Sequence, residues 1–73
     1  MKTDFTDYHG TPIEVGDTVI NFRLNFIEPK IWIVKRRSDG LIYCEGEYQG
    51  MKKYIGLEQL INTSGVALKV FNK

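Results

Sequence analysis

Lys30 to Tyr48 reads KIWIVKRRSDGLIYCEGEY. Its first half, Lys30 to Arg37, holds Ile31, Trp32, Ile33 and Val34, an unbroken run of strand formers. Leu41 to Tyr48 is a second run, with Ile42, Cys44 and Tyr48 on one parity and Leu41 and Tyr43 on the other. Asp39-Gly40 between them predicts a tight hairpin, because both residue types accept the positive φ that such turns demand. Neither strand is cleanly polar on one side, since Trp32 and Val34 point opposite to Ile31 and Ile33. Both faces are therefore expected to be covered. The strong curvature of a small barrel provides that cover, whereas a flat open sheet does not.

The pattern extends in both directions. Gln49-Gly50 turns the chain into a further strand, Met51 to Ile55, in which Met51, Lys53 and Ile55 alternate with Lys52 and Tyr54. In GLEQLIN the period changes: Leu57, Leu60 and Ile61 fall at i, i+3 and i+4, one apolar helical face. The segment is too short to be a stable helix alone, so one or two turns of α or 3₁₀ type are expected. Gly65 ends it, and Val66 to Phe71 is predicted as the last strand, with Val66, Leu68 and Val70 on one side. Upstream, Thr18 to Phe22 reads as the first strand. Turn residues at Gly10-Thr11-Pro12, Gly16-Asp17, Glu28-Pro29, Ser38-Asp39-Gly40, Gln49-Gly50 and Thr63-Ser64-Gly65 separate these short β-prone runs. Together they predict an all-β fold in a single domain, residues 1–73: a five-stranded small barrel with a short helical (3₁₀) turn before the last strand.

The residues leading into the first strand carry a spaced motif. Asp7, Gly10, Ile13, Gly16, Asp17 and Val19 fit D-x-x-G-x-x-I-x-x-G-D-x-V. This resembles the opening of small phage and prophage proteins, YopX-like ones among them, which have SH3-like parts. The G-D-x-V core is also similar to the first strand of KOW-type ribosomal and transcription-factor domains. As a motif the resemblance covers roughly the first quarter of the chain; beyond that it rests on strand order and on Trp-x-Val followed by an Asp-Gly hairpin. It implies an SH3-like barrel and a phage or prophage accessory protein. Its KOW-like side implies a nucleic-acid-binding domain.

Composition narrows the chemistry. With 73 residues there is one core and no room for a separate catalytic lobe. Cys44 is the single cysteine, so the chain forms no internal disulfide, and a lone thiol suits a reducing compartment. MKTDFTDYHG has no apolar signal region and no run approaches the roughly 18 apolar residues of a membrane span, so a cytoplasmic protein is expected. The sequon Asn62-Thr63-Ser64 is then coincidental. His9 and Cys44 are the one conceivable base and nucleophile, but no third residue orients them; His9 reads as a solvated loop residue and Cys44 as a small apolar filler. One Cys and one His supply no metal-ligand pair, Glu45 and Glu47 read as solvated strand residues, and Gly46 and Gly50 as a bend and a turn. No catalytic residue, metal or cofactor is expected.

Binding surfaces remain. Net charge is +1, and residues 30–53 hold six cations against three anions while residues 1–29 hold two against five. Within the basic middle, Lys30, Trp32, Lys35, Arg36 and Arg37 lie on one strand, Tyr43 on the next, and Lys52, Lys53 and Tyr54 on the third. Cations neutralise phosphates and aromatic rings stack on unpaired bases, so this set is the candidate nucleic-acid surface. The same charges also suit a hairpin end and a guarded sheet edge, and Glu45 and Glu47 repel phosphate. The second candidate is apolar: Leu24, Phe26 and Ile27 in NFRLNFIEPK, after Phe22. Either these residues form a patch for a protein partner or for self-association, or Phe22, Leu24 and Phe26 continue the first strand with an inward face. The favoured expectation is a non-catalytic interaction module with a protein partner; the alternative is nucleic acid.

Overall fold

Where apolar residues alternate with polar ones the chain takes strands, and where their spacing changes to three and four it takes a helix. The computed structural model describes residues 2–22 and 30–71. Within them the strands are β1 (Lys2–Thr6), β2 (Pro12–Glu14), β3 (Thr18–Asn21), β4 (Ile31–Arg36), β5 (Ile42–Tyr48) and β6 (Met51–Gly56), then helix α1 (Leu57–Ser64), a 3₁₀ turn (Gly65–Ala67) and β7 (Leu68–Val70). β1 and β2 form a two-stranded hairpin; the other five strands form one antiparallel sheet in the order β6-β5-β4-β3-β7. The fold is all-β, with its short helical segment placed before the last strand as the sequence predicts. Among the described residues no ladder joins β6 to β7.

Three turns are built differently from one another. Gln49 and Gly50 have φ of 51° and 78°, the two positive values of a two-residue hairpin loop whose twist matches its strands. At the β4–β5 turn only Gly40 is left-handed, with φ of 97°. Asp39 acts there through its side chain instead, accepting a hydrogen bond from the Leu41 amide (3.1 Å). The third turn is the Gly16-Asp17 corner. Gly16, with φ of 98°, donates its N–H to Val34 O (2.8 Å), and Val34 donates back to Asp17 O (2.9 Å). The Asp17 carboxylate is buried and accepts from the Glu14 amide (2.8 Å).

The core lies on one side of the sheet. Val19, Trp32, Val34, Cys44, Leu68 and Val70 point inward; Ile13 from β2 and Leu57, Leu60 and Ile61 from α1 close over them, with Phe5 at the margin. In α1 the buried residues are Leu57, Leu60, Ile61 and Ser64, one stripe of the helix. Gly65, at φ of 57°, ends α1 and returns its N–H to Ile61 O. Beneath the helix the buried Asn21 donates from Nδ2 to the buried Ser64 Oγ, a polar bond made inside the core.

Four expectations change. Thr18–Asn21 is not the first strand but the third: Lys2–Thr6 and Pro12–Glu14 precede it as a hairpin, in which Thr3 Oγ1 donates to Ile13 O (2.6 Å) and Ile13 is fully buried. The last strand begins at Leu68 rather than Val66: the 3₁₀ turn takes up Gly65 to Ala67 and leaves Val66 67% exposed. Positive φ at the Asp39-Gly40 turn belongs to Gly40 alone. Among the described residues nothing covers the outer side of β4, for α1 packs on the inner side and Ile31 and Ile33 are 56% and 42% exposed.

Replacing Asp17 by Ala removes the acceptor of the Glu14 amide within a buried corner, at an expected cost of about 1–3 kcal/mol. Asp17→Asn keeps an acceptor oxygen and is expected to lose less. Urea unfolding of the two variants beside the parent checks the order; equal stability of all three contradicts it.

Candidate interaction surface

Side chains at alternate positions of β3 to β6 leave the core and form the outer face of the sheet. The register sets Thr18, Ile33, Glu45 and Tyr54 in one row across four strands. Ile20 pairs with Ile31, Lys35 with Tyr43, and Glu47 with Lys52. Ile31, Ile33 and Tyr54 are among the large exposed apolar groups of this face, Tyr54 being 61% exposed. A shallow depression of about 290 Å³ lies among Ile31, Ile33, Glu45, Gly46, Glu47 and Lys52.

Charge on this face is organised by Glu45. Its carboxylate receives Lys35 Nζ at 3.4 Å and Lys52 Nζ at 3.7 Å, one from each neighbouring strand. Lys52 is exposed and Lys35 half-buried, so these solvent-screened pairs add little stability. The Tyr43 and Tyr54 rings pack tilted with centroids 6.1 Å apart, a favourable aromatic geometry.

The residues of the nucleic-acid expectation are thus divided among several places. Lys35, Tyr43, Lys52 and Tyr54 share the outer face. Trp32 does not: it is 3% exposed and belongs to the core, so its ring is unavailable for stacking on a base. Among the described residues its Nε1 has no hydrogen-bond partner. Lys53 is half-buried and pairs with Gly46 on the inward parity of β6. Lys30 is exposed just before β4, and Arg36 and Arg37 are exposed at the hairpin end. Arg37 is engaged by Asp39, and that bond, with the Leu41 amide, lowers the Asp39 carboxyl to about 2. Leu24, Phe26 and Ile27, the expected partner-binding residues, lie outside the described residues. Sequence reasoning missed Ile31 and Ile33 as surface groups. Their signal is the apolar character of β4 on both parities, which by itself predicts burial of both faces.

His9 and Cys44 are not brought into one site. His9 Nε2 lies 2.7 Å from Val66 O, joining the β1–β2 turn to the 3₁₀ turn. Cys44 is fully buried in β5, and burial pushes its thiol up to about 12. Among the described residues no group of His, Cys, Asp and Glu side chains is placed to hold a metal ion, and no helix is long and apolar enough to cross a membrane. Comparison with protein-family models, curated proteins and solved structures returns no match to this chain.

The Cys44 thiol gives a pH prediction. Its pKa is higher folded, about 12, than the ordinary 9.0 of an exposed thiol. The folded state therefore keeps a proton that the unfolded chain gives up. This contribution is intact below pH 9 and is lost as pH rises from 9 towards 12. Stability of the parent is expected to fall more steeply across that window than stability of Cys44→Ala, read by urea unfolding at each pH. Parallel pH profiles contradict the assignment, as does rapid labelling of the native thiol by a disulfide reagent at pH 8.

Proposed function

We propose that this chain is a non-catalytic interaction module that binds a protein partner through the open outer face of its sheet. The observation that carries the reading is the exposed pair Ile31 and Ile33 on β4, with exposed Tyr54 two strands away on the same face beyond Glu45. Apolar groups gathered on a regular, rigid surface are the usual substrate of protein recognition, because covering them removes apolar area from water without reordering the backbone. Lys35, Glu45 and Lys52 add charged groups to that face, Glu45 standing between Ile33 and Tyr54. The resemblance of the Asp7-to-Val19 motif to small phage and prophage proteins supports an accessory protein of that origin, acting in the cytoplasm.

Nucleic acid fits the same face less well. Glu45, near both lysines, and Glu47, opposite Lys52, put negative charge on that face, and Trp32 is inside the core. The test is affinity purification of the tagged chain from its own cells, with and without nuclease, using the parent and an Ile31→Ser/Ile33→Ser double variant. A protein partner is expected to survive nuclease and to be lost from the double variant, whose circular dichroism and melting remain those of the parent. Capture that disappears with nuclease, or that is the same for both proteins, overturns the reading.

A further inference from the structure

We infer that the partner is engaged by strand addition: an extended, acidic segment pairs antiparallel with the free edge of β6. This deepens the proposed protein-binding function and rests on it. β6 ends the five-stranded sheet and runs for six residues, against three for β7 at the opposite edge. Proteins usually shorten, cover or charge such an edge, because its unpaired amides and carbonyls template another strand.

The direction of the free groups follows from the hairpin. Gln49 and Gly50 form a two-residue loop, so the flanking pair, Tyr48 and Met51, is the close hydrogen-bonded pair of the ladder. Bonding alternates from there. Met51, Lys53 and Ile55 turn their backbone groups toward β5, while Lys52 and Tyr54 turn theirs outward. Among the described residues these outward groups meet no backbone partner.

Charge then selects the occupant. Lys52 and Lys53 stand on opposite faces of this edge. Among the described residues Lys53, although half-buried, has no carboxylate partner. A second copy of the chain is disfavoured, since antiparallel pairing of two β6 edges centred here sets lysine against lysine. An incoming strand with acidic residues opposite Lys52 and Lys53 and β-branched residues opposite Tyr54 and Ile55 meets every position favourably. Read in its own direction, an antiparallel segment passes Ile55 and Tyr54 first and the lysines afterwards. Two β-branched residues followed by two acidic ones therefore define the recognised pattern.

The probe is the capped hexapeptide Thr-Val-Ile-Glu-Glu-Thr, with Thr-Val-Ile-Lys-Lys-Thr as its counterpart, each titrated into ¹⁵N-labelled protein. The acidic peptide is expected to slow hydrogen exchange at the Lys52 and Tyr54 amides by about tenfold or more, and the lysine peptide to leave them unchanged. Tyr54→Pro removes an outward N–H while sparing the β5 ladder, and is expected to abolish the effect. Lys52→Glu/Lys53→Glu, which changes no backbone group, is expected to exchange the preference between the peptides. Shifts confined to Ile31 and Ile33 without amide protection overturn strand addition but leave the open face as the binding surface. Absence of binding at millimolar acidic peptide, or equal protection by both peptides, also overturns it. Loss of capture in the Ile31→Ser/Ile33→Ser variant remains a separate readout of the underlying function.

Discussion

Val34 has its backbone held on both sides by a single corner. Its carbonyl accepts from Gly16 and its amide donates to Asp17 O, at 2.8 and 2.9 Å. Through Glu14, whose amide reaches the Asp17 carboxylate and whose carbonyl accepts the Asp17 amide at 3.0 Å, the same corner holds the end of β2. Three strands thus meet at two residues. The corner needs a residue free to take φ of 98° at Gly16 and a short acceptor at Asp17, buried where an unpaired carboxylate is costly. Asp7 repeats the device one turn earlier, its Oδ1 accepting from the amides of His9 (2.8 Å) and Thr11 (2.9 Å) beside Gly10 at φ of 85°. The spaced Asp, Gly, Ile, Gly, Asp, Val motif is therefore a set of structural parts: two buried carboxylates, two left-handed glycines, and Ile13 and Val19 fully buried between and after them.

That anchoring decides which face of the sheet is used for packing. β2 and α1 both lie on the inner side, where Ile13, Leu57 and Leu60 are inaccessible to solvent. One helix of eight residues covers one face only. Among the described residues the outer face keeps Ile31, Ile33 and Tyr54 exposed, and no strand pairs with the outer edge of β6. The proposed binding function is thus a consequence of how a short chain distributes its few covering elements.

Much of the scaffold was legible in the sequence, and the particular failures have physical causes. Gln49-Gly50 and the i, i+3, i+4 spacing of Leu57, Leu60 and Ile61 act locally, so their hairpin and helix could be read directly. Asp39-Gly40 marked the right place for a turn, but a side-chain acceptor and one left-handed residue do what two left-handed residues were expected to do. Parity along β4 separated Trp32 and Val34 from Ile31 and Ile33 correctly. Which set is covered depends on where α1 packs, and that is a long-range outcome no local pattern encodes. The same limit explains Trp32, which reads as a stacking residue among cations yet is a core residue. β1 and β2 were hidden because their apolar content is sparse, with Phe5 and Ile13 isolated between turn residues. Val66 shared the parity of Leu68 and Val70, and only the 3₁₀ turn takes it out of the strand.

The central claim is that the Gly16-Asp17 corner belongs to the cooperative core and is not a surface loop. Native-state hydrogen exchange of the Gly16 and Val34 amides as a function of urea tests it most directly. Both are predicted to exchange only through global unfolding, with the free energy and urea dependence of the Val19 and Cys44 amides inside the sheet. Exchange of Gly16 and Val34 through a urea-independent local opening, while Val19 and Cys44 stay protected, would contradict the account.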